Sequence, residues 1–398
     1  MPPDDVSGDA PVDSIIELTR ALVRLPTRAA VDGYEPVFAL LEEWLRSYGV
    51  AVERLAGPRG ATVALLSCPE ETTKRWYVLN ATVDTAPFGD ESTWTRHPTG
   101  AEIEDGWMYG RGTADCKVGV ALFAHLLVEA AVHVPSPLSV VALFDADEHS
   151  GGFAGIRSFL DDPSHRRATA GAFVGYPGPD KIVVGSRGFL RATLHVAGES
   201  AHSGSRHPVT ANAVTRAARL VACLDRAPLP SGDDRDFPLP PKVTVTGIEG
   251  GEGFSIVPDQ CTVAVDVRLT PRFDAARAQA YLGDQVAALD REVPGPRPTT
   301  VDVVMARPAY RLPASSMLSA ALQAGAEAAF GRNVPLEIVG PSNVGNLLAE
   351  MGIEATAGFG VGYRNLHAAD EAIDLSTIGP VYRAYRRAVQ HLAVGGHG

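Results

Sequence analysis

Apolar residues near the start of the chain recur at every third or fourth position, at Ile15, Leu18 and Leu22. This spacing places them on one face of a helix and predicts that this face packs against a core. Ser14 and Glu17 stand three positions apart, which is the spacing of a capping box, so we expect Ser14 to cap the helix.

Helical and strand-like patterns then alternate up to about residue 176. An amphipathic helix is predicted over Tyr34–Tyr48 and a buried helix over Lys117–Val132. The segment WYVLNATVD predicts a strand, and the continuous apolar run over Leu138–Asp145 predicts a strand that is buried on both faces. Alternating helices and apolar strands are typical of an α/β domain with a largely parallel sheet.

The pattern changes after residue 176. Four segments have the alternating character of half-buried strands, namely KIVVG, FLRATLHVAG, PKVTVTGIEG and CTVAVDVRLT. Helices are predicted between and after them, at about Ala211–Asp225 and Ala275–Leu289. This part of the chain is therefore predicted to be a smaller α+β unit with a mostly antiparallel sheet.

Helices and strands alternate again from about Leu318, and a last helix is predicted near Leu375–Val394. The Pro-rich segment Val293–Pro298 either closes the smaller unit or lies just inside it. A chain of 398 residues is long enough for two domains. We therefore predict a discontinuous α/β domain in residues 1–184 and 299–398, with an inserted α+β domain in residues 185–298.

Composition and charge exclude several classes of protein. No run of 18 apolar residues occurs, and residues 1–13 are acidic and Pro-rich, so we expect a disordered lead-in rather than a membrane span or a secretory signal. The four cysteines form no CxxC pair, which favours a reducing cytoplasm over a disulfide framework. A net charge of -12 without a basic cluster argues against nucleic acid and anionic membranes as partners.

Residues that bind metals or transfer protons follow the predicted strands, where the active sites of α/β domains usually lie. They are Asp84, Asp115 in a Gly-rich turn, the group Asp145, Asp147, Glu148 and His149, and, further along the chain, His202 and His367. Taken singly, such an aspartate is usually a turn former or a helix cap, and a lone histidine is usually a core or surface residue. Their joint order is the reason for selecting them.

Four segments in this order resemble the zinc aminoacylase/carboxypeptidase family, which includes acetylornithine deacetylase, succinyl-diaminopimelate desuccinylase and glutamate carboxypeptidase. They are the Asp-Thr-Ala-Pro turn at 84–87 with Trp94 and residues 109–117, the segment 147–152, Ala201–Ser203 with Asn212 and Ala213, and the segment 367–371. Residues 256–259 and 266–268 are also similar. The resemblance spans residues 13–393 and implies that the inserted domain is a lid that forms a homodimer.

The family uses two metal ions bridged by one aspartate. The resemblance implies that Asp115 is this bridging ligand, that His367 is the late ligand and that Glu148 is the general base. It implies that Asp84 stands behind the first histidine ligand. It also implies that His202 reaches across the dimer to stabilise the oxyanion.

Three positions depart from the family pattern. Thr82 stands where the first histidine ligand belongs, Tyr176 where an acidic ligand belongs, and His149 where a glutamate ligand belongs. Thr82 and Tyr176 fall on the same metal site, and neutral hydroxyls do not normally hold zinc without stronger ligands. That site is expected to be empty.

The other site keeps Asp115, His149 and His367, and a carboxylate with two imidazoles is a competent set for one divalent metal, for which we expect zinc. Glu148 beside it can take a proton from a water whose pKa the metal lowers to about 7. The alternative is a decayed site in which His149 is a random replacement and Glu148 a leftover carboxylate.

The leading hypothesis is hydrolysis of the amide bond of an N-acyl amino acid or dipeptide-like substrate. Arg268 and Arg364 are candidates for binding a substrate carboxylate, since arginine offers a bidentate fork, although a structural ion pair is the alternative for each. Thr82 and Tyr176 can hydrogen-bond a substrate where zinc once lay. Two further hypotheses stay open: metal-independent acyl transfer, elimination or cyclisation, and a non-catalytic binding protein.

Overall fold

The computed structural model describes residues 10–57, 60–67, 75–132, 140–206, 210–229 and 237–395. The expected lead-in falls largely on residues 1–9, and the strand predicted from Leu138 begins in the segment 133–139; both of these stretches lie outside the described residues. Among the described helices, none has the length and apolar character needed to cross a membrane.

Helices and strands are interspersed along the described part of the chain. The helices are α1 (Val12–Val23), α2 (Glu35–Ser47), α3 (Val118–Val132), α4 (Ala154–Leu160), α5 (Pro163–Ala168), α6 (Ala213–Arg226), α7 (Ala275–Glu292), α8 (Met317–Phe330), α9 (Val344–Glu350) and α10 (Ile378–Gly395). The first strands are β1 (Glu53–Ala56), β2 (Thr62–Ser67), β3 (Trp76–Thr82), β4 (Glu102–Glu104), β5 (Trp107–Tyr109), β6 (Val140–Asp145), β7 (Thr169–Val174), β8 (Ile182–Ser186), β9 (Gly188–Ala197) and β10 (Ala201–His202). The later strands are β11 (Lys242–Gly250), β12 (Ile256–Val257), β13 (Gln260–Leu269), β14 (Thr300–Arg307), β15 (Tyr310–Arg311), β16 (Leu336–Val339), β17 (Ala355–Thr356), β18 (Tyr363–Arg364) and β19 (Ala372–Asp374).

The chain forms two compact units. Unit 1 comprises Met1–Val184, Leu312–Glu337 and Met351–Gly398, and unit 2 comprises Gly185–Arg311 and Ile338–Glu350. Unit 2 therefore extends beyond the predicted inserted domain, which ended at residue 298. The physical reason is that residues 300–307 form β14, which pairs with β9 along its whole length, and the local sequence does not specify this partner.

The central sheet of unit 1 has the order β1-β2-β6-β3-β7-β17. The four strands β6, β3, β7 and β17 run parallel, and β2 and β1 add to them in antiparallel fashion. This confirms the predicted α/β domain with a largely parallel sheet. Thr82 lies opposite Asp145, and Asn80 lies opposite Val174, so the carboxyl ends of three strands meet at one edge.

Helix α3 explains why a long apolar helix lies in the interior. Its residues from Val118 to Leu127 are buried, and it contacts β3 and β6 on one side and α1 and α10 on others. A helix that is enclosed in this way has no solvent face to carry polar residues. Its amino end lies next to the end of β7, because the backbone of Gly119 approaches the carbonyl of Gly175 so closely that a side chain at Gly119 would clash.

The predicted capping box at Ser14 is wrong. Helix α1 begins at Val12, and Pro11 precedes it without any side-chain cap. The hydroxyl of Ser14 instead donates to Nε2 of His125, at 2.8 Å, while Nδ1 of His125 donates to the carbonyl of Ala121. Ser14 therefore forms a tertiary hydrogen bond and does not cap the helix, as the local pattern had predicted it would.

Unit 2 contains an antiparallel sheet with the order β11-β13-β9-β14, as predicted for the second domain. Strand β13 alternates buried and half-buried residues, and its buried face packs with α6 and α7 to form a separate core. Asn212 and Asp274 cap these two helices through their side chains. The Pro-rich segment Val293–Pro298 lies inside this unit, between α7 and β14.

Candidate active site

Asp84 is the anchor of the site in unit 1. It follows β3, is fully buried, and accepts hydrogen bonds from the backbone N–H groups of Glu148 and His149 at 3.2 and 3.0 Å. The hydroxyl of Thr82 also donates to it. Burial opposes ionisation of Asp84, but His149 and the hydroxyl of Thr82 outweigh this and lower the pKa of its carboxyl. Asp84 thereby fixes the loop that carries Glu148 and His149.

Three of the predicted metal ligands come together. The ligand atoms of Asp115, His149 and His367 all lie within 4.8 Å of one another. Nε2 of His367 is 2.9 Å from Oδ2 of Asp115, and Nε2 of His149 is 3.4 Å from the same oxygen. Asp115 and His149 are buried, whereas the side chain of His367 is half exposed. The cluster therefore has one open side.

The donor atoms of this cluster fit a divalent metal. Both ring nitrogens of His149 and Oδ1 of Asp115 are buried and make no hydrogen bond within the described part of the chain, although each ring nitrogen lies 3.4 Å from a carboxylate oxygen. Buried polar atoms without partners are rare because each costs free energy, and a bound ion is one of the few explanations for them. Two imidazoles and a carboxylate are also a donor set that zinc accepts.

The charges in the cluster favour a cation. Burial would lower the pKa of His149, but the carboxylates of Asp115 and Asp84 raise it to about 11. Burial would favour the neutral acid at Asp115, but His149 and His367 hold its pKa well below the usual range. The carboxylates that favour a positive charge on His149 favour a bound cation for the same reason.

Glu148 lies beside the cluster and is held by Tyr176. The phenol of Tyr176 donates to Oε1 of Glu148 at 2.6 Å, and Oε2 lies 3.4 Å from Nδ1 of His149. Burial and the nearby charge of Asp115 raise the pKa of Glu148 to about 6. Burial and the charge of Glu148 likewise raise the pKa of Tyr176 well above its ordinary value, so the phenol stays protonated as the donor.

The residues do not fit a second ion. The family resemblance assigns the ligands of that ion to the positions of Thr82 and Tyr176, and the hydroxyls of these two residues donate to the carboxylates of Asp84 and Glu148, respectively. A hydroxyl that donates in this way is neutral and does not offer the anionic oxygen that a divalent metal prefers.

Asp147 and Asp145, two further acidic residues near the site, form hydrogen bonds that stabilise the fold. Asp147 has a left-handed backbone, with φ of 72°, and its side chain accepts from Ser150 and from the backbone N–H of Ala154, so it shapes the loop after β6. Asp145 is buried and accepts from the amide of Asn80 at 2.9 Å. Burial raises the pKa of Asp145 well above its ordinary value.

The turn that carries Asp115 depends on a residue that sequence reasoning missed. Glu371 is fully buried, pairs with Arg111, and accepts backbone N–H groups from the turn. Gly112, with φ of 84°, passes so close to Thr85 that a side chain there would clash. The peptide bond between Asp115 and Cys116 is cis. Glu371 belongs to the segment 367–371 that carries the family resemblance, but the resemblance assigned it no role and its contact with the turn could not be read from the sequence.

His202 and Arg268 belong to unit 2. His202 is exposed on the short strand β10, which pairs with β12, and its Nδ1 accepts the backbone N–H of Gly204 at 3.0 Å. In the neutral ring this contact places the proton on Nε2, which is free to donate. Arg268 pairs with Asp266 at 2.8 Å and donates to Ser342, which favours the structural ion pair for this residue.

Arg364 lies in unit 1, three residues before His367. Its guanidinium lies over the ring of Trp107, at 4.2 Å from the centroid, and also contacts the ring and hydroxyl of Tyr109. No carboxylate among the described residues pairs with it. Its charge is therefore stabilised by aromatic rings and is left available to an anion.

A discontinuous α/β unit with Asp115, His149, His367 and Glu148 at the carboxyl edge of its sheet defines a hydrolase of the metallopeptidase type. The model of peptidase family M20/M25/M40 matches residues 78–391, which is most of the chain. The chain belongs to this family.

Curated relatives in this family include two named succinyl-diaminopimelate desuccinylase. The one from Cereibacter sphaeroides is 27% identical over 392 residues, covering 96% of this chain and 99% of its own. The one from a Ruegeria species, succinyl-diaminopimelate desuccinylase 1, is 30% identical over 285 residues, covering 70% of this chain and 73% of its own.

Solved structures show the same fold. The metallo-carboxypeptidase Sso-CP2 from Sulfolobus solfataricus superposes with a TM-score of 0.73 at 18% identity, over 96% of this chain and 100% of that one. YXEP from Bacillus subtilis, described as a dinuclear metal-binding peptidase, superposes with a TM-score of 0.70 at 13% identity, over 95% and 97% of the two chains.

Proposed function

We propose that this chain hydrolyses the amide bond of an N-acyl amino acid or dipeptide-like substrate with one divalent metal, for which zinc is the expected ion. The observation that carries the proposal is the cluster of Asp115, His149 and His367, in which buried donor atoms of Asp115 and His149 make no hydrogen bond among the described residues. Asp115, His149 and His367 would hold the ion, which would supply polarisation of the amide carbonyl and a lowered pKa for a bound water.

Glu148 moves the proton in this proposal. It takes a proton from the attacking water and delivers it to the departing amine, which cannot leave as an anion. The hydrogen bond from Tyr176 to Oε1 supports this role, because it fixes the orientation of the carboxylate beside the cluster. Thr82 acts less directly, since its hydroxyl holds Asp84 and Asp84 holds the loop of Glu148.

We propose that Arg364 binds a carboxylate of the substrate. Its guanidinium contacts Trp107 and Tyr109 but pairs with no carboxylate among the described residues. Arg364 lies three residues from His367, so the two Cα atoms are at most about 11 Å apart. The relatives are named for a succinyl group on an amino acid, and such acyl groups carry a carboxylate. N-succinyl amino acids are therefore the first class of substrate to test.

We propose a homodimer in which His202 of one copy serves the site of the other. The exposed position of His202 and its free Nε2 proton support a role outside its own surroundings. An N–H donor of this kind can stabilise the oxyanion that forms when the amide carbonyl is attacked.

Release of free amine from N-succinyl amino acids, N-acetyl amino acids and dipeptides tests the proposed activity. We expect turnover of at least one class, its loss when a chelator removes the metal, and its return with one equivalent of Zn²⁺ per chain. Turnover that survives metal removal would favour the metal-independent alternative. A complete lack of turnover by metal-loaded protein would favour the binding protein.

A further inference from the structure

Glu371 holds the turn of Asp115 through both oxygens of its carboxylate. Oε1 accepts the backbone N–H groups of Gly112, Ala114 and Asp115, at 3.0, 3.0 and 3.3 Å. Oε2 accepts Nη1 of Arg111 at 2.5 Å. Both members of this ion pair are almost completely buried.

The same residue ties together two distant parts of the chain. Glu371 lies four positions after His367, and the carbonyl of Glu371 also accepts the backbone N–H of Gly110. His367 has a left-handed backbone, with φ of 60°, which an unconstrained histidine rarely adopts. The contacts of Glu371 therefore hold the turn of Asp115 against the segment that carries His367.

We propose that Glu371 is a positioning residue for the metal cluster, which sets the separation of Asp115 and His367 before an ion binds. This inference rests on the proposed one-metal function. Three N–H groups that converge on one carboxylate oxygen form a rigid support, because moving the turn would leave a buried carboxylate or buried donors without partners. A ligand pair that is already in place does not have to be ordered when the ion arrives.

A structural role alone predicts a different result from a positioning role, and unit 2 offers a matched control. Asp290 accepts from the fully buried Arg216 and also from the backbone N–H and hydroxyl of Thr299, so it too combines a buried arginine with a backbone donor. Asp290→Asn should lower stability without affecting the metal cluster of unit 1.

The experiment compares Glu371→Gln with Asp290→Asn in the full chain. In Glu371→Gln, the N–H of the side-chain amide would face either the backbone N–H groups of the turn or the guanidinium of Arg111, and neither can accept a hydrogen bond from it. We expect its Kd for Zn²⁺, measured by competition with a chromophoric chelator, to rise 10- to 100-fold, the usual effect of losing a residue that orients a metal ligand. The absorption spectrum of the Co²⁺-loaded variant should also change. Asp290→Asn should keep the Kd within about twofold and the Co²⁺ spectrum unchanged, because Arg216 and Thr299, the described hydrogen-bond partners of Asp290, belong to unit 2.

The outcomes separate the two claims. If the unsubstituted protein binds Zn²⁺ and Glu371→Gln binds it equally well, with the same Co²⁺ spectrum, the positioning role is wrong and the proposed function stands. If the unsubstituted protein binds no Zn²⁺, both are wrong.

Hydrogen exchange in the unsubstituted protein keeps the inference testable if Glu371→Gln does not fold. The amides of Gly112, Ala114 and Asp115 should exchange slowly before any Zn²⁺ is added, since Glu371 already accepts them. Fast exchange that becomes slow only with Zn²⁺ would overturn the positioning role.

Discussion

The phenol of Tyr176 donates a hydrogen bond to Oε1 of Glu148 over 2.6 Å. A neutral donor therefore lies where the family pattern places an acidic metal ligand, and it contacts the residue proposed to move the proton. In the same way, the hydroxyl of Thr82 donates a hydrogen bond to Asp84. We infer that the two hydroxyls have a use in the present site and are not remnants of a decayed one.

Restoring the lost ligands should damage the enzyme. In the double variant Thr82→His, Tyr176→Glu, a second carboxylate would face Oε1 of Glu148, and like charges at that distance oppose each other's ionisation. We expect the native turnover to fall at least about 100-fold. The rate with the best substrate is measured together with bound zinc. A double variant that gains a second zinc and keeps its native rate would show that Thr82 and Tyr176 are neutral replacements without a function in the site.

Glu148→Gln should abolish most of the turnover, because an amide cannot accept the proton of the attacking water. A loss of about 100-fold or more in kcat is the usual scale for removing a general base. Metal content and KM should change little, since Glu148 is not one of the three proposed ligands. Unchanged kcat in a metal-loaded Glu148→Gln protein would rule out the proposed proton transfer.

Mixing two inactive variants should restore activity if His202 works in the partner's site. In a heterodimer of Glu148→Gln and His202→Ala, one of the two sites would combine an intact Glu148 with an intact His202 from the other chain. Statistical mixing then restores about a quarter of the wild-type rate, since half of the dimers are mixed and each has one intact site. A mixture that stays inactive after subunit exchange, or a monomer in sedimentation with full activity, would exclude this arrangement.

Arg364→Gln should act mainly on substrates that carry an acyl carboxylate. For such a substrate, KM should rise about 10-fold or more, because a charged hydrogen bond contributes about 1.5–3 kcal/mol. The same variant should hydrolyse an N-acetyl substrate with an unchanged KM if that substrate's own carboxylate binds elsewhere. Equal effects on both substrates would assign Arg364 to the amino acid carboxylate instead.

His125 should make the folded state less stable in mild acid. Burial lowers its pKa to about 4, whereas an exposed histidine in the unfolded chain titrates near 6.5. The unfolded state therefore binds a proton first as the pH falls, and stability that is complete above about pH 6.5 is lost progressively toward pH 4.

The size of this effect can be measured against a variant. Between pH 7.5 and pH 5, His125 should contribute a loss of about 2 kcal/mol to the free energy of unfolding. Denaturant unfolding of the wild type and of His125→Gln at both values gives the difference, because the glutamine does not titrate. An identical pH dependence in the two proteins would show that His125 does not carry it.

The local sequence pattern predicted where helices and strands lie better than it predicted which residues and strands contact one another. The bounds of α2 and α3 follow from apolar spacing alone. Ser14 was misassigned because its hydroxyl forms a hydrogen bond with His125, more than 100 positions away. Residues 300–307, where no strand was predicted, were assigned to the α/β domain, although they form β14 and pair with β9 of unit 2. Tertiary contacts decide such choices, and one sequence does not display them.

In the candidate site, too, the sequence identified several of the residues but not all of their contacts. Asp115, His149 and His367 were selected by motif order, and the structure brings their ligand atoms together. The role of Glu371 could not be predicted, since it depends on three backbone N–H groups that converge only when residues 112–115 have folded against it.

The number of metal ions bound per chain distinguishes one occupied site from two. Protein purified without chelator, dialysed, and analysed for its elements should hold one divalent ion per chain, and His149→Ala should hold none. This account predicts one ion because Asp115, His149 and His367 form one donor set, while Thr82 and Tyr176 offer only hydroxyls already bound to carboxylates. Two ions per chain that both resist dialysis, or one ion that persists in His149→Ala, would contradict it.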